Sequence, residues 1–137
     1  MITVETLVNA PVEHAWKIWT EPEHIMGWNF ASDDWECPAA ENDLRVGGRF
    51  TATMAAKDGS ASFVFGGTYD VMEPYRMIAY KMDGEDARKV EVSFEEIDGM
   101  TKVVERFDPE NENPEEMQRA GWQAILDNFK AYAETTA

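Results

Sequence analysis

From Arg49 to Phe107 the chain repeats one pattern: short stretches of alternating apolar and polar residues, each closed by a turn signal. Phe50, Ala52 and Met54 alternate with Arg49, Thr51 and Thr53, and residues 63–72, 76–82, 88–97 and 101–107 continue the pattern. Between these stretches stand Lys57-Asp58-Gly59, Glu73-Pro74-Tyr75, Asp83-Gly84-Glu85-Asp86 and Asp98-Gly99. Asp-Gly supplies the positive backbone angles of a tight hairpin. Strands joined by such turns must pair antiparallel. Gly47-Gly48 and Gly66-Gly67 mark places where a strand bends, bulges or lets another backbone approach.

The flanks complete the architecture. Ile2, Val4 and Thr6 alternate with Thr3, Glu5 and Leu7 as a first strand ending at Asn9. Asn9 as cap and Pro11 in the first turn open an amphipathic helix to Thr20, with Val12, Ala15, Trp16 and Trp19 on its face. Thr20-Glu21-Pro22 starts a second, shorter helix through Met26, ended by Gly27. Residues 29–42 show no period and read as an acidic, polar loop, and residues 110–116 as the most flexible stretch. Residues 114–132 form the longest helix, about 30 Å at about 1.5 Å per residue. This order predicts an α+β domain over residues 1–137. A curved antiparallel sheet of about six to seven strands wraps around a long C-terminal helix, with two short helices after the first strand.

Composition sets limits on the partner. At 44% hydrophobic and 12% aromatic, the 137 residues can build a proper core. With 27 acidic against 12 basic residues, a net charge of −15 argues against nucleic acid and anionic membranes as partners. Cys37 is the one cysteine, so no intrachain disulfide forms. Without a signal-peptide pattern at Met1–Val8 or a membrane-length apolar run, the expected location is the cytoplasm.

Several strings carry a family likeness. They are residues 10–24 (Ala-Pro-Val-Glu-His-Ala-Trp-Lys-Ile-Trp-Thr-Glu-Pro-Glu-His) with Trp28, and residues 43–50 (Asp-Leu-Arg-Val-Gly-Gly-Arg-Phe). Residues 66–71 (Gly-Gly-Thr-Tyr-Asp-Val), Glu73-Pro74 and Gly121-Trp122 complete the set. With these, the chain resembles the START-like superfamily, also called SRPBCC or Bet v 1-like, whose fold is a helix-grip. Within it, the chain is similar to the bacterial single-domain branch related to the activator of the heat-shock-protein-90 ATPase. The likeness implies a small-molecule binder. Chaperone activation in the eukaryotic activator depends partly on a separate N-terminal domain, so the likeness carries that role less far.

No phosphate-binding glycine loop, nucleophile elbow or metal-ligand spacing appears, and no cofactor or metal is expected. His14 reads as outward-facing and solvated, whereas His24 lies near the expected mouth. Cys37 has no general base in sequence reach, which argues against a catalytic thiol. Glu105 is the polar residue of most interest. It shares a strand face with Val103 and Phe107, and either points into an apolar interior, where its pKa would rise, or faces outward beside a basic neighbour. Met54, Phe65, Tyr69, Ile78, Tyr80 and Met82 are candidate wall residues, with Trp28 and Trp35 in the loop region. On the long helix, Met117, Gly121, Ala124, Ile125, Asn128 and Tyr132 share a stripe flanked by Trp122, Leu126 and Phe129. Asn128 and Tyr132 either orient a ligand or reach solvent.

The expected function is binding of a small hydrophobic or aromatic molecule inside the sheet. Alternatives are an enzyme of the cyclase, dehydratase or hydrolase type using Glu105 or His24, and a chaperone-interacting module. A homodimer stays open.

Overall fold

The computed structural model describes residues 1–84 and 87–136. Its elements are β1 (Ile2–Val8), α1 (Val12–Thr20), α2 (Pro22–Ile25), β2 (Trp35–Asn42), β3 (Arg49–Ala56), β4 (Ser62–Glu73), β5 (Met77–Met82), β6 (Lys89–Ile97), β7 (Met100–Phe107) and α3 (Glu115–Thr135). The seven strands form one antiparallel sheet in the order β1-β7-β6-β5-β4-β3-β2. Each strand from β2 to β7 pairs with its sequence neighbour, and β1 closes onto β7. At Asp98 and Gly99, φ is 52° and 80°, and Ile97 pairs with Met100, which makes the expected two-residue hairpin. Of the turn placed over residues 83–86, Glu85 and Asp86 lie outside the described residues.

The sheet curls around α3. Trp122 of α3 stacks on Phe107 of β7 at 3.9 Å and meets Phe65 of β4 edge-on at 6.2 Å. These strands are not neighbours in the sheet, so only a curved surface brings both to one indole. At one flank Gln123 and Lys130 of α3 donate to the β1 carbonyls of Glu5 and Leu7, at 3.2 and 2.8 Å. Those bonds occupy acceptors that an edge strand otherwise leaves open. Under α1, Trp19, Trp28 and Phe129 pack with ring centroids 4.9–5.0 Å apart, and Trp16 meets Phe94 at 5.2 Å. The Trp28 indole N–H donates to the Ile18 carbonyl at 3.0 Å, so this buried ring is polar-satisfied as well as packed.

Five local expectations are corrected. Residues 35–42, expected as loop, form the edge strand β2. Its register shifts between Glu36 and Ala39, so burial falls at Cys37 and then at Ala40 and Asn42, which breaks the period of two. In β4 the irregularity lies between Tyr69 and Val71, not at Gly66-Gly67, whose flat faces instead admit neighbouring groups. Neither Asn9 nor Thr20 caps a helix: Pro11 and Glu21 stand at those positions, and the Thr20 hydroxyl donates back to Trp16 O at 2.8 Å. The buried line of α3 is Gln118, Leu126, Phe129 and Ala133, displaced from the expected stripe, and Met117 is 61% exposed. His14 is half-buried and donates to Ala133 O at 2.9 Å, tying α1 to the end of α3.

A Cβ on Gly67 would stand 2.5 Å from the Lys81 carbonyl oxygen and 3.0 Å from the Phe50 ring. Backbone cannot yield as a side-chain tip does. Gly67→Ala is therefore expected to destabilise the fold by about 1–3 kcal/mol, read from urea unfolding. An unchanged midpoint would show that the β4–β5 spacing is looser than described.

Candidate functional site

Beside the α1 aromatic cluster, the space between sheet and α3 is left unfilled. A cavity of about 410 Å³ remains, within the usual range for small-molecule sites. Its floor comes from β3, β4, β5 and β7, and its roof from Met117, Gln118, Gly121, Trp122, Ile125 and Leu126 of α3. Phe50 stands at the centre of the aromatic wall, 4.7 Å from Tyr80, 5.2 Å from Tyr69 and 5.9 Å from Phe65. Phe63 and Met117, 52% and 61% exposed, stand where the cavity meets solvent.

Strand alternation aims the polar group inward. Thr101, Val103, Glu105 and Phe107 are the buried residues of β7, while Arg106 is exposed, which resolves the orientation of Glu105. Glu105 is 6% exposed and lines the cavity. Among the described residues no side chain hydrogen-bonds or ion-pairs with its carboxyl. Burial pushes that group from its ordinary value near 4.5 up to about 8. At neutral pH it is therefore a carboxylic acid, able to donate a hydrogen bond. Burial also raises the Tyr80 phenol well above its usual range, with the nearby Glu105 charge and Tyr69 adding to the effect. Tyr69 is tied up: its hydroxyl donates to Asn42 Oδ1 at 2.5 Å, and Asn42 donates to Thr20 O at 2.7 Å.

Of the wall, loop and helix-stripe residues singled out in the sequence, Trp28, Met54, Phe65, Tyr69, Ile78, Tyr80, Met82, Glu105, Met117, Gly121, Trp122, Ile125 and Leu126 line this cavity. Five other candidates stand outside the lining because the fold uses them. The His24 ring nitrogen and the Tyr132 hydroxyl hydrogen-bond to each other at 2.9 Å, and the Tyr132 ring covers Gly27. Asn128 donates to Phe30 O, Phe107 is sealed beneath Trp122, and Trp35 packs on Phe63 at 5.9 Å.

Sequence reading passed over other lining groups. Phe50 was detectable as the first member of the inward row Phe50, Ala52, Met54. Glu41, Glu110 and Asn113 had no periodic signal. Gln118 was equally silent, yet it fixes the stretch expected to be most flexible. Its amide donates to Asn113 O at 2.8 Å and accepts from Glu110 N at 2.9 Å.

Cys37 and residues 21–24 carry the other groups with potential chemistry. Burial pushes the Cys37 thiol up, which keeps it protonated and a poor nucleophile. Glu21, Glu23 and His24, close in sequence, bring ligand atoms within 4.8 Å of one another. They lie outside the cavity lining.

A carboxylic acid with a raised folded-state pKa stabilises the fold fully below its unfolded value, and that contribution disappears as pH rises through the folded value. Glu105→Gln cannot ionise. The parent protein is expected to lose stability relative to this variant between about pH 4.5 and about pH 8, by up to about 5 kcal/mol in total. Denaturant unfolding across that interval measures it; a constant difference would mean the carboxyl is solvated.

Comparison with known proteins follows the same outline. The family model described as "Activator of Hsp90 ATPase homolog 1-like protein" matches residues 9–134. An AHSA1-like protein from Aeromonas hydrophila is 42% identical, with a TM-score of 0.89 over 98% of this chain and 94% of its own. Protein Chr148 from Cytophaga hutchinsonii is 53% identical, with a TM-score of 0.82 over 98% and 92%. At 17% identity, protein NE0264 from Nitrosomonas europaea shares the fold alone, with a TM-score of 0.86 over 99% of this chain and 95% of its own. No curated protein matches the sequence. Among the described residues no helix is long and apolar enough to cross a membrane. By the span of the family match and the identity to these two relatives, the chain belongs to the activator of Hsp90 ATPase homolog 1-like family.

Proposed function

We propose that this chain is a receptor for a small hydrophobic or aromatic molecule, bound between the sheet and α3 in a reducing, cytoplasmic setting. The single observation that carries this reading is the cavity of about 410 Å³, walled by aromatic side chains and holding a buried carboxyl without a partner among the described residues. Interiors normally close such space, because unfilled volume forfeits packing contacts. Gly121 supports the same reading. A Cβ there would meet nothing within 4 Å, and glycine inside a helix costs about 1 kcal/mol relative to alanine. Both the helix and the packing would gain from a larger residue. Room for a guest is the function that explains its absence.

A second reading, an enzyme acting on such a molecule, draws on Glu105 alone. A carboxyl kept protonated near neutral pH beside a bound substrate is a competent general acid. That reading expects product formation that Glu105→Gln abolishes while binding persists.

The test fills the space. Gly121→Leu is expected to raise stability by about 1–2 kcal/mol and to remove the melting-temperature rise that small aromatic compounds give the parent protein. A chaperone contact through the outer surface, the role from which the family takes its description, would not respond to a filled cavity. Loss of stability in Gly121→Leu, or ligand shifts that persist in it, would contradict the receptor reading.

A further inference from the structure

We propose that Glu105 and Tyr80 form a paired hydrogen-bond site for one ligand oxygen, so that the cavity selects an uncharged aromatic molecule bearing a carbonyl group. The inference rests on the receptor reading above and narrows its ligand class.

Pairing places the two groups. Glu105 of β7 lies opposite Val92 of β6, which lies opposite Ile78 of β5. Tyr80 follows Ile78 by two residues on the same face and lies opposite Val90. Short valines therefore occupy the floor between them, and the longer Glu105 and Tyr80 side chains rise above it to line the cavity. Each is 6% exposed.

Their lack of partners is selective. Of the buried polar side chains, the Thr101 hydroxyl donates to Ala10 O, Thr20 to Trp16 O, and Gln118 satisfies both ends of its amide. Tyr69, on the same wall as Tyr80, is satisfied by Asn42. The Glu105 carboxyl and the Tyr80 hydroxyl, by contrast, have no hydrogen bond to another of the described residues, and both line the cavity. Their polar ends open onto the cavity rather than being sealed in protein, and two such ends on one cavity wall mark a place where a ligand oxygen can replace solvent as their partner.

Chemistry then selects the ligand. The other titratable groups on the lining are Glu41, Tyr69, Arg88 and Glu110, and the α3 roof residues carry no charge. A protonated carboxyl and a phenol are both donors, and a carbonyl oxygen has two lone pairs to receive them. A carboxylate guest would bring its charge into a lining where Glu41 and Glu110 outnumber Arg88. An ammonium guest would first require Glu105 to ionise in an apolar wall.

Four bicyclic probes test this by NMR titration of the indole N–H signals: tetralin, 1-tetralone, 2-aminotetralin and tetralin-2-carboxylate. At pH 6.5, 1-tetralone is expected to bind about tenfold more tightly than tetralin, and more tightly than either charged probe. That advantage should shrink as pH rises past about 8. Tyr80→Phe should reduce it. Glu105→Gln, which still donates through its amide, should keep the preference with a flat pH profile. Equal binding of tetralin and 1-tetralone overturns the paired site while leaving the cavity a receptor. Preference for 2-aminotetralin, growing with pH, overturns it by making Glu105 an anionic partner. Failure of all four probes overturns the receptor reading along with it.

Discussion

A sheet of seven strands spaced about 4.8 Å apart is far wider than one helix, which with its side chains measures about 10 Å across. One face of that sheet must be buried, and α3 is the only long helix among the described residues to cover it. Curling reduces the mismatch, as the contacts of Trp122 with both Phe107 and Phe65 show. It does not remove it. At one side the difference is made up by α1 and α2, whose Trp16, Trp19 and Trp28 pack onto Phe94 and Phe129. At the other side nothing equivalent is inserted, and the cavity is what remains.

That arrangement divides the molecule into a solid part and a hollow part with different demands. In the solid part the Trp28 indole and the Thr101 hydroxyl each donate to a backbone carbonyl. In the hollow part, the space beside Gly121 forgoes packing, and the polar ends of Glu105 and Tyr80 face the cavity instead of a partner among the described residues. Such features are expected where binding, rather than folding alone, governs the choice of residues.

Much of this was legible in the amino-acid sequence, for identifiable reasons. Alternation in residues 101–107 and the Asp98-Gly99 turn are local signals, and the structure keeps both. β2 was invisible because its register shift breaks the alternation that reveals a strand. The orientation of Glu105 could not be read because both faces of β7 carry valine, and which face is concave is decided by α3. His24, Asn128 and Tyr132 look like ligand contacts in a linear reading, but each is occupied by a partner distant in sequence: His24 with Tyr132, and Asn128 with the Phe30 carbonyl. Spacing along a chain cannot report a bond across one hundred residues.

The central claim is that the hollow between sheet and helix is accessible to an apolar guest. Xenon, which enters dry apolar cavities, tests this most directly in a crystal held under the gas. The account requires xenon density between the Tyr80–Glu105 wall and the α3 backbone at Gly121. Density absent there, with Phe50, Phe65 and Trp122 rotated inward to fill the volume, would contradict it.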